Sequence, residues 1–134
     1  MKRGDVYWAE SRPRSGAEQQ GRRPVIVVSH DGFNTATGWR SIIVVPVSTS
    51  PAQAGRGPTA VHLPAGADGL RSNSVALCHQ VTTLDRAKLT DQLGHLHGDQ
   101  MLAVGDGLRA ALAVDTVADG GIRSAYAHLG DPLG

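Results

Sequence analysis

Gly16-Ala17-Glu18-Gln19-Gln20-Gly21-Arg22-Arg23-Pro24 runs straight into Val25-Ile26-Val27-Val28, and this junction of polar loop and apolar run organises the reading of the chain. The run from Val25 to Ser29 reads as a strand that is apolar on both faces, and therefore as a central one. A second apolar run, Val6 to Ala9, lies ahead of the loop. A hairpin turns round in about two to five residues, so a loop this long is expected to do more than connect strands. It carries one carboxylate, a pair of amides and two adjacent guanidiniums. Long polar loops on rigid scaffolds often hold binding and catalytic groups. A solvated loop whose arginines serve solubility accounts for the same residues equally well.

Working outward, Asp5 to Glu10 is expected as the first strand, with Val6 and Trp8 on one face and Tyr7 and Ala9 on the other. His30 to Trp39 carries turn and loop residues. Ser41 to Ser48 reads as a strand with a bulge or an unpaired edge at Pro46. Ala60 to Leu63 and Ser74 to Thr83 follow as strands, then a helical turn over Asp85 to Leu89 and a strand from Gln92 to Leu96. Met101, Val104, Leu108 and Leu112 recur at helical spacing, which predicts one amphipathic helix over Asp99 to Val114. Gly105 and Gly107 weaken that helix by about 1 kcal/mol each relative to alanine. Residues 1–114 therefore read as one domain, and 115–134 as a loosely attached tail. Short strands, tight links and a single terminal helix imply a mainly β fold, a small antiparallel barrel.

The 134 residues suffice for a core without disulfides or a structural metal. Residues 1–24 carry a net charge of +3 and the remainder −2, giving the total of +1. A positive loop on a nearly neutral body suits phosphate binding at one face, although random clustering of arginines gives the same count. The lone Cys78 excludes an intramolecular disulfide, fits a reducing cytosol, and reads as a small buried hydrophobe. The first residues hold no apolar leader, and no run is long enough to span a bilayer. His95 and His97 would face the same way on a strand, but no third ligand follows at a metal spacing, so they read as strand-end polar residues.

Arg3-Gly4-Asp5-Val6-Tyr7-Trp8, the loop Gly16-Ala17-Glu18-Gln19 with Gly21 and Arg23-Pro24, and Val25 to Ser29 together resemble the MazF/PemK toxin family. The resemblance continues through Val45-Pro46-Val47-Ser48, Ser74 to Leu77 with Gln80-Val81, and Leu84-Asp85 to Leu96. It implies an SH3-like (PemK/CcdB-like) antiparallel β-barrel with a C-terminal α-helix. It also implies a sequence-selective, metal-independent endoribonuclease that needs no cofactor. Such a protein would be a homodimer acting on single-stranded RNA in the cytoplasm, silenced by a MazE-like antitoxin and leaving a 2′,3′-cyclic phosphate and a 5′-hydroxyl.

On that resemblance Arg23 is the catalytic arginine. Its planar fork of donors suits phosphoryl oxygens, and a pKa above ~12 argues for oxyanion stabilisation or proton donation rather than a general base. Glu18 matches a carboxylate that would act as base or orient Arg23; a solvated loop glutamate is the ordinary alternative. Ser48 stands where the family has threonine, and without the methyl its hydroxyl is expected to be aimed more loosely. A strand-end hydroxyl capping a turn is the competing account of Ser48. Ala17, Gln19, Arg22, Thr49 and Gln80 are the expected substrate contacts, the amides reading base edges. His30, His79 and Thr82 also depart from the family's asparagine, glutamate and arginine; the last two would alter which bases are accepted. A CcdB-like topoisomerase-binding toxin would not need the Glu-Gln…Arg-Pro loop. A non-catalytic RNA-binding barrel would want more aromatics than one Phe, two Tyr and two Trp.

Overall fold

The computed structural model describes residues 1–11, 21–55, 57–66 and 69–114. Expectations for Ala17, Glu18, Gln19 and the tail from 115 lie outside the described residues.

Strands β1 (Asp5–Ser11), β2 (Gly21–Val27), β3 (Ser41–Ser48), β4 (Ala60–Leu63), β5 (Ser74–Leu77), β6 (Thr82–Asp85) and β7 (Leu89–His95) form one antiparallel sheet. Its order is β4-β5-β3-β2-β1-β7, with β6 also paired to β3. Among the described residues two α-helices complete it, α1 (Asp31–Asn34) and α2 (Gly98–Leu112). The mainly β architecture with one long C-terminal helix is the expected one, but β4 and β7 do not pair with each other, so the sheet is open rather than closed into a barrel. Among the described residues no helix is long and apolar enough to cross a membrane.

β2 is central, as its two-faced apolarity implied, paired with β1 on one side and β3 on the other. Alternation along the strands splits the core in two. Val6, Ile26, Val45 and Val47 belong to one cluster; Ala9, Val25, Val27, Ile42 and Val44 belong to the other. Contact with α2 through Val104, Met101 and Leu108 covers the first cluster.

Four local expectations change. β2 begins at Gly21, so Arg22, Arg23 and Pro24 lie in a strand; pairing with Glu10, Ala9 and Trp8 outweighs their loop-like composition. Ser74 to Thr83 is two strands separated by a 3-10 turn, Cys78–Gln80. That break occurs where the outer edge of β3 passes from β6 (last pair Val44↔Thr82) to β5 (first pair Val47↔Ala76). Pro46, which has no N–H to give, sits in the gap between them. The turn after Asp85 is a 3-10 turn, Arg86–Lys88, and β7 starts directly behind it at Leu89. Finally, the apolar stripe of α2 is shorter than its spacing implied, because Leu112 is 57% exposed.

α2 begins with a capping box in which the His97 side chain accepts from the Gln100 N–H and Gln100 Oε1 accepts from the His97 N–H at 2.9 Å. Gly107 is the point of closest approach. A Cβ there would lie 2.7 Å from Cys78 Sγ and 3.0 Å from Val61 Cγ2, so the helix rests on β4 and the 78–80 turn only because that atom is missing.

Candidate functional site

Arg22 and Arg23 are neighbours in sequence, and the pleat sends them to opposite faces of β2. Arg22 falls on the face of Trp8: its guanidinium lies 4.7 Å from the Trp8 ring centroid, and Nη1 donates to Asp91 Oδ2 at 3.1 Å. This arginine is tethered, and the chemistry it offers is a cation–π contact and an ion pair. Arg23 falls on the face of Val25 and Val27. It is exposed, and none of the described carboxylates forms an ion pair with it.

Arg23 pairs with Ala9 of β1, and its placement relative to β3 follows from the register of β2 and β3. Their pairs run Val27↔Val44, Ile26↔Val45 and Val25↔Pro46. The pairing of the two strands ends there, and alternation from Val25 and from Pro46 puts Arg23 and Ser48 on one face, each two residues past that last pair. Alternation thus puts two of the expected catalytic residues on one face and sends Arg22 to the other.

Ser48 is the last residue of β3, and its Oγ accepts a hydrogen bond from the Ser50 N–H at 3.0 Å. The turn-capping role is therefore real. It does not compete with a donor role, because the bond occupies a lone pair and leaves the hydroxyl proton available. Thr49 follows, exposed, outside the strand.

Gln80 ends the 3-10 turn beside the β3 edge, exposed, with Nε2 3.5 Å from His79 Nε2. The same turn opens with Cys78, whose buried thiol is pushed up to about 11 by desolvation and contacts the Val104 carbonyl at 3.7 Å. A thiol so protected is a packing atom and not a nucleophile. Since α2 presses on this turn through Gly107, the long helix helps to hold Gln80 beside β3.

His30, His95 and His97 serve structure. His30 Nδ1 accepts from the Gly32 N–H at 2.8 Å and caps α1, at the end of the sheet away from Arg23. His95 Nδ1 lies 2.6 Å from the buried Asp5 carboxylate. His97 lies beyond β7 as the N-cap of α2, so the two do not face one way as a strand would have had them. Sequence reasoning missed Asp91 and Trp8 as the anchors of Arg22; both contacts are made across strands, and no local signal marks them.

Residues 2–112 match the family model described as "PemK-like, MazF-like toxin of type II toxin-antitoxin system". The chain belongs to this PemK/MazF toxin family. Among curated relatives, Endoribonuclease EndoA of Bacillus subtilis is 37% identical over 114 residues, covering 85% of this chain and 96% of its own. Endoribonuclease MazF of Staphylococcus saprophyticus is 32% identical over 117 residues, covering 87% and 95%. Among solved structures, a MazE–MazF crystal structure from Deinococcus radiodurans superposes with a TM-score of 0.68 at 30% identity, covering 85% of this chain and 96% of that one. In this PemK/MazF-family chain the Arg-Pro of the loop motif sits inside β2, so alternation puts Arg23 on the face opposite to that of Arg22 and Trp8.

Proposed function

We propose that this toxin is an endoribonuclease that cuts single-stranded RNA by attack of a ribose 2′-hydroxyl on the neighbouring phosphorus. The P–O5′ bond breaks, leaving a 2′,3′-cyclic phosphate and a 5′-hydroxyl, and protein side chains supply the charge stabilisation. The observation that supports the reading is that Arg23 and Ser48 fall on one face by alternation, each two residues past the last β2–β3 pair, Val25↔Pro46.

Arg23, exposed and without a described carboxylate partner, provides a fork of N–H donors for the non-bridging phosphoryl oxygens as charge builds on them. The Ser48 hydroxyl, oriented by the Ser50 N–H, donates a further hydrogen bond to the same oxygens. Glu18 takes the proton from the 2′-hydroxyl, and the leaving 5′-oxygen gains a proton from the Arg23 side. Ala17, Gln19, Thr49 and Gln80 hold the flanking nucleotides and give the cut its sequence selectivity. Arg22 contributes at longer range, since Asp91 and Trp8 hold it on the other face.

The active form is a homodimer in the cytoplasm, with residues 1–114 as the toxin domain and 115–134 as an appendage to it. A MazE-like antitoxin silences it by laying an acidic segment over the same arginines.

Incubating the protein with single-stranded RNA in the presence of chelator tests the reading. Fragments ending in a cyclic phosphate are expected, with Arg23→Ala losing at least about 100-fold in rate while keeping the wild-type circular dichroism and melting. RNA left intact by the wild type, or cleavage surviving in folded Arg23→Ala, would refute it.

A further inference from the structure

At the end of the sheet away from Arg23, the link between β2 and β3 presents two stacked aromatic rings to solvent. Phe33 and Trp39 are 45% and 44% exposed, with ring centroids 4.9 Å apart and planes tilted by 31°. His30 meets the edge of Phe33 at 6.5 Å. With two of the chain's five aromatics, this is a costly pair to leave in water, and large exposed apolar groups set close together usually mark a contact surface.

The link that carries the rings is tied down by hydrogen bonds. The Trp39 indole N–H donates to the Ser41 carbonyl at 2.7 Å. The Arg86 guanidinium spreads over the carbonyls of Asn34 at 2.9 Å, Trp39 at 3.0 Å and Phe33 at 3.3 Å, tying both ends of the link together. Beneath them Asn34 is buried, bonded to the Ser29 carbonyl at 2.7 Å and to Asp31 Oδ1 at 2.9 Å. A platform organised in this way loses little conformational freedom when something stacks on it.

Charge identifies the occupant. Segments 1–4, 30–43 and 85–87 carry four cationic side chains, Lys2, Arg3, Arg40 and Arg86, against two carboxylates, Asp31 and Asp85. Arg40 and Asp85 pair with each other at 3.1 Å, and Asp31 accepts from the Arg3 N–H at 2.7 Å, so Lys2, Arg3 and Arg86 leave the surround cationic. Exposed rings within a cationic surround are the elements with which proteins hold unpaired nucleic acid: bases stack, and phosphates meet the cations.

We infer that the Phe33–Trp39 pair is a second, non-catalytic contact for single-stranded RNA, taking bases of the strand that extends beyond the cut. The inference rests on the RNA-cutting reading for its choice of ligand, yet binding at this end does not require cleavage.

The test uses the full chain carrying Trp8→Phe, so that Trp39 alone reports, and a 2′-O-methyl RNA of about 12 nucleotides, which lacks the attacking hydroxyl. Titration is expected to quench Trp39 fluorescence. Phe33→Ala/Trp39→Ala, in the otherwise unaltered chain, is expected to weaken binding of that oligonucleotide, read by its anisotropy, about tenfold or more. Trp39→Phe, which keeps a stacking face, should recover most of the loss. Cutting of an RNA of about 4 nucleotides, too short to reach both ends, should be unchanged in the double variant. Unchanged affinity in the double variant, or quenching by an acidic peptide and not by RNA, overturns the inference. A wild type that binds and quenches but cuts nothing refutes the nuclease reading alone.

Discussion

The two glycines inside α2 are expected to respond differently to the same substitution, only one of them with a gain in stability. Gly105→Ala places a methyl whose nearest neighbours are the Arg109 guanidinium nitrogens, at 3.7 and 3.9 Å, which is ordinary contact. It should therefore realise the helix-propensity gain of about 1 kcal/mol. Gly107→Ala gains the same propensity but sets its methyl 2.7 Å from Cys78 Sγ, 3.0 Å from Val61 Cγ2 and 3.3 Å from Cys78 Cβ. These are roughly 0.5 to 1 Å inside a comfortable separation. Neither neighbour yields easily, because Cys78 is fully buried and opens the 3-10 turn behind β5. Overpacking of that kind costs about 1–3 kcal/mol, so Gly107→Ala should come out neutral to about 2 kcal/mol destabilised. The gap between the variants is then about 1–3 kcal/mol, or roughly 4–12 °C in Tm for a domain of this size. Urea unfolding with an unchanged m-value is the appropriate assay. In a Cys78→Ala background the penalty at 107 should shrink, giving a coupling energy of the sign expected for a relieved clash. Equal stabilisation by both alanines would refute the packing argument, and with it the claim that α2 positions the turn carrying Gln80.

Three further outcomes follow from the same geometry. Arg22→Ala, which removes an exposed ion pair and one cation–π contact, should cost no more than about 1–2 kcal/mol and reduce cleavage far less than Arg23→Ala; equal losses in rate would dissolve the distinction between the two faces. Asp31 and Asp85 are held below the ordinary carboxylate range, the first chiefly by the Asn34 side chain and the second chiefly by the Ala87 N–H. Their contribution is thus complete above the unfolded carboxylate value near ~4 and is lost as pH falls through the lower folded values, so Asp31→Asn should flatten the acid limb of a Tm–pH curve. Cys78, with its thiol raised to about 11, should resist a thiol reagent at pH ~8 in the native protein and react at once in denaturant; fast native labelling would contradict its burial.

Where the physics is local, the residues announced the structure. β3 and β4 occupy the spans that alternation and flanking turn residues indicated, Ser41–Ser48 and Ala60–Leu63. β2 is central, as its run of buried aliphatics required. The motif of loop and strand also carried the family, because it combines unusual residue types at fixed spacing. Elements whose limits depend on a distant partner were less legible. Ser74 to Thr83 looks like one strand until β3 is seen to change neighbours along its edge. Gly21 to Pro24 looks like loop until β1 is laid against it.

The sequence by itself determined which side chains are available for chemistry and that a mainly β scaffold would carry them, since composition, period and motif are properties of neighbouring residues. Only the tertiary structure decided which of two adjacent arginines shares a face with Val25 and which with Trp8, and that Phe33 and Trp39, six positions apart, stack in solvent. Facing is a matter of register and of contacts between segments far apart in the chain, and no local pattern encodes it.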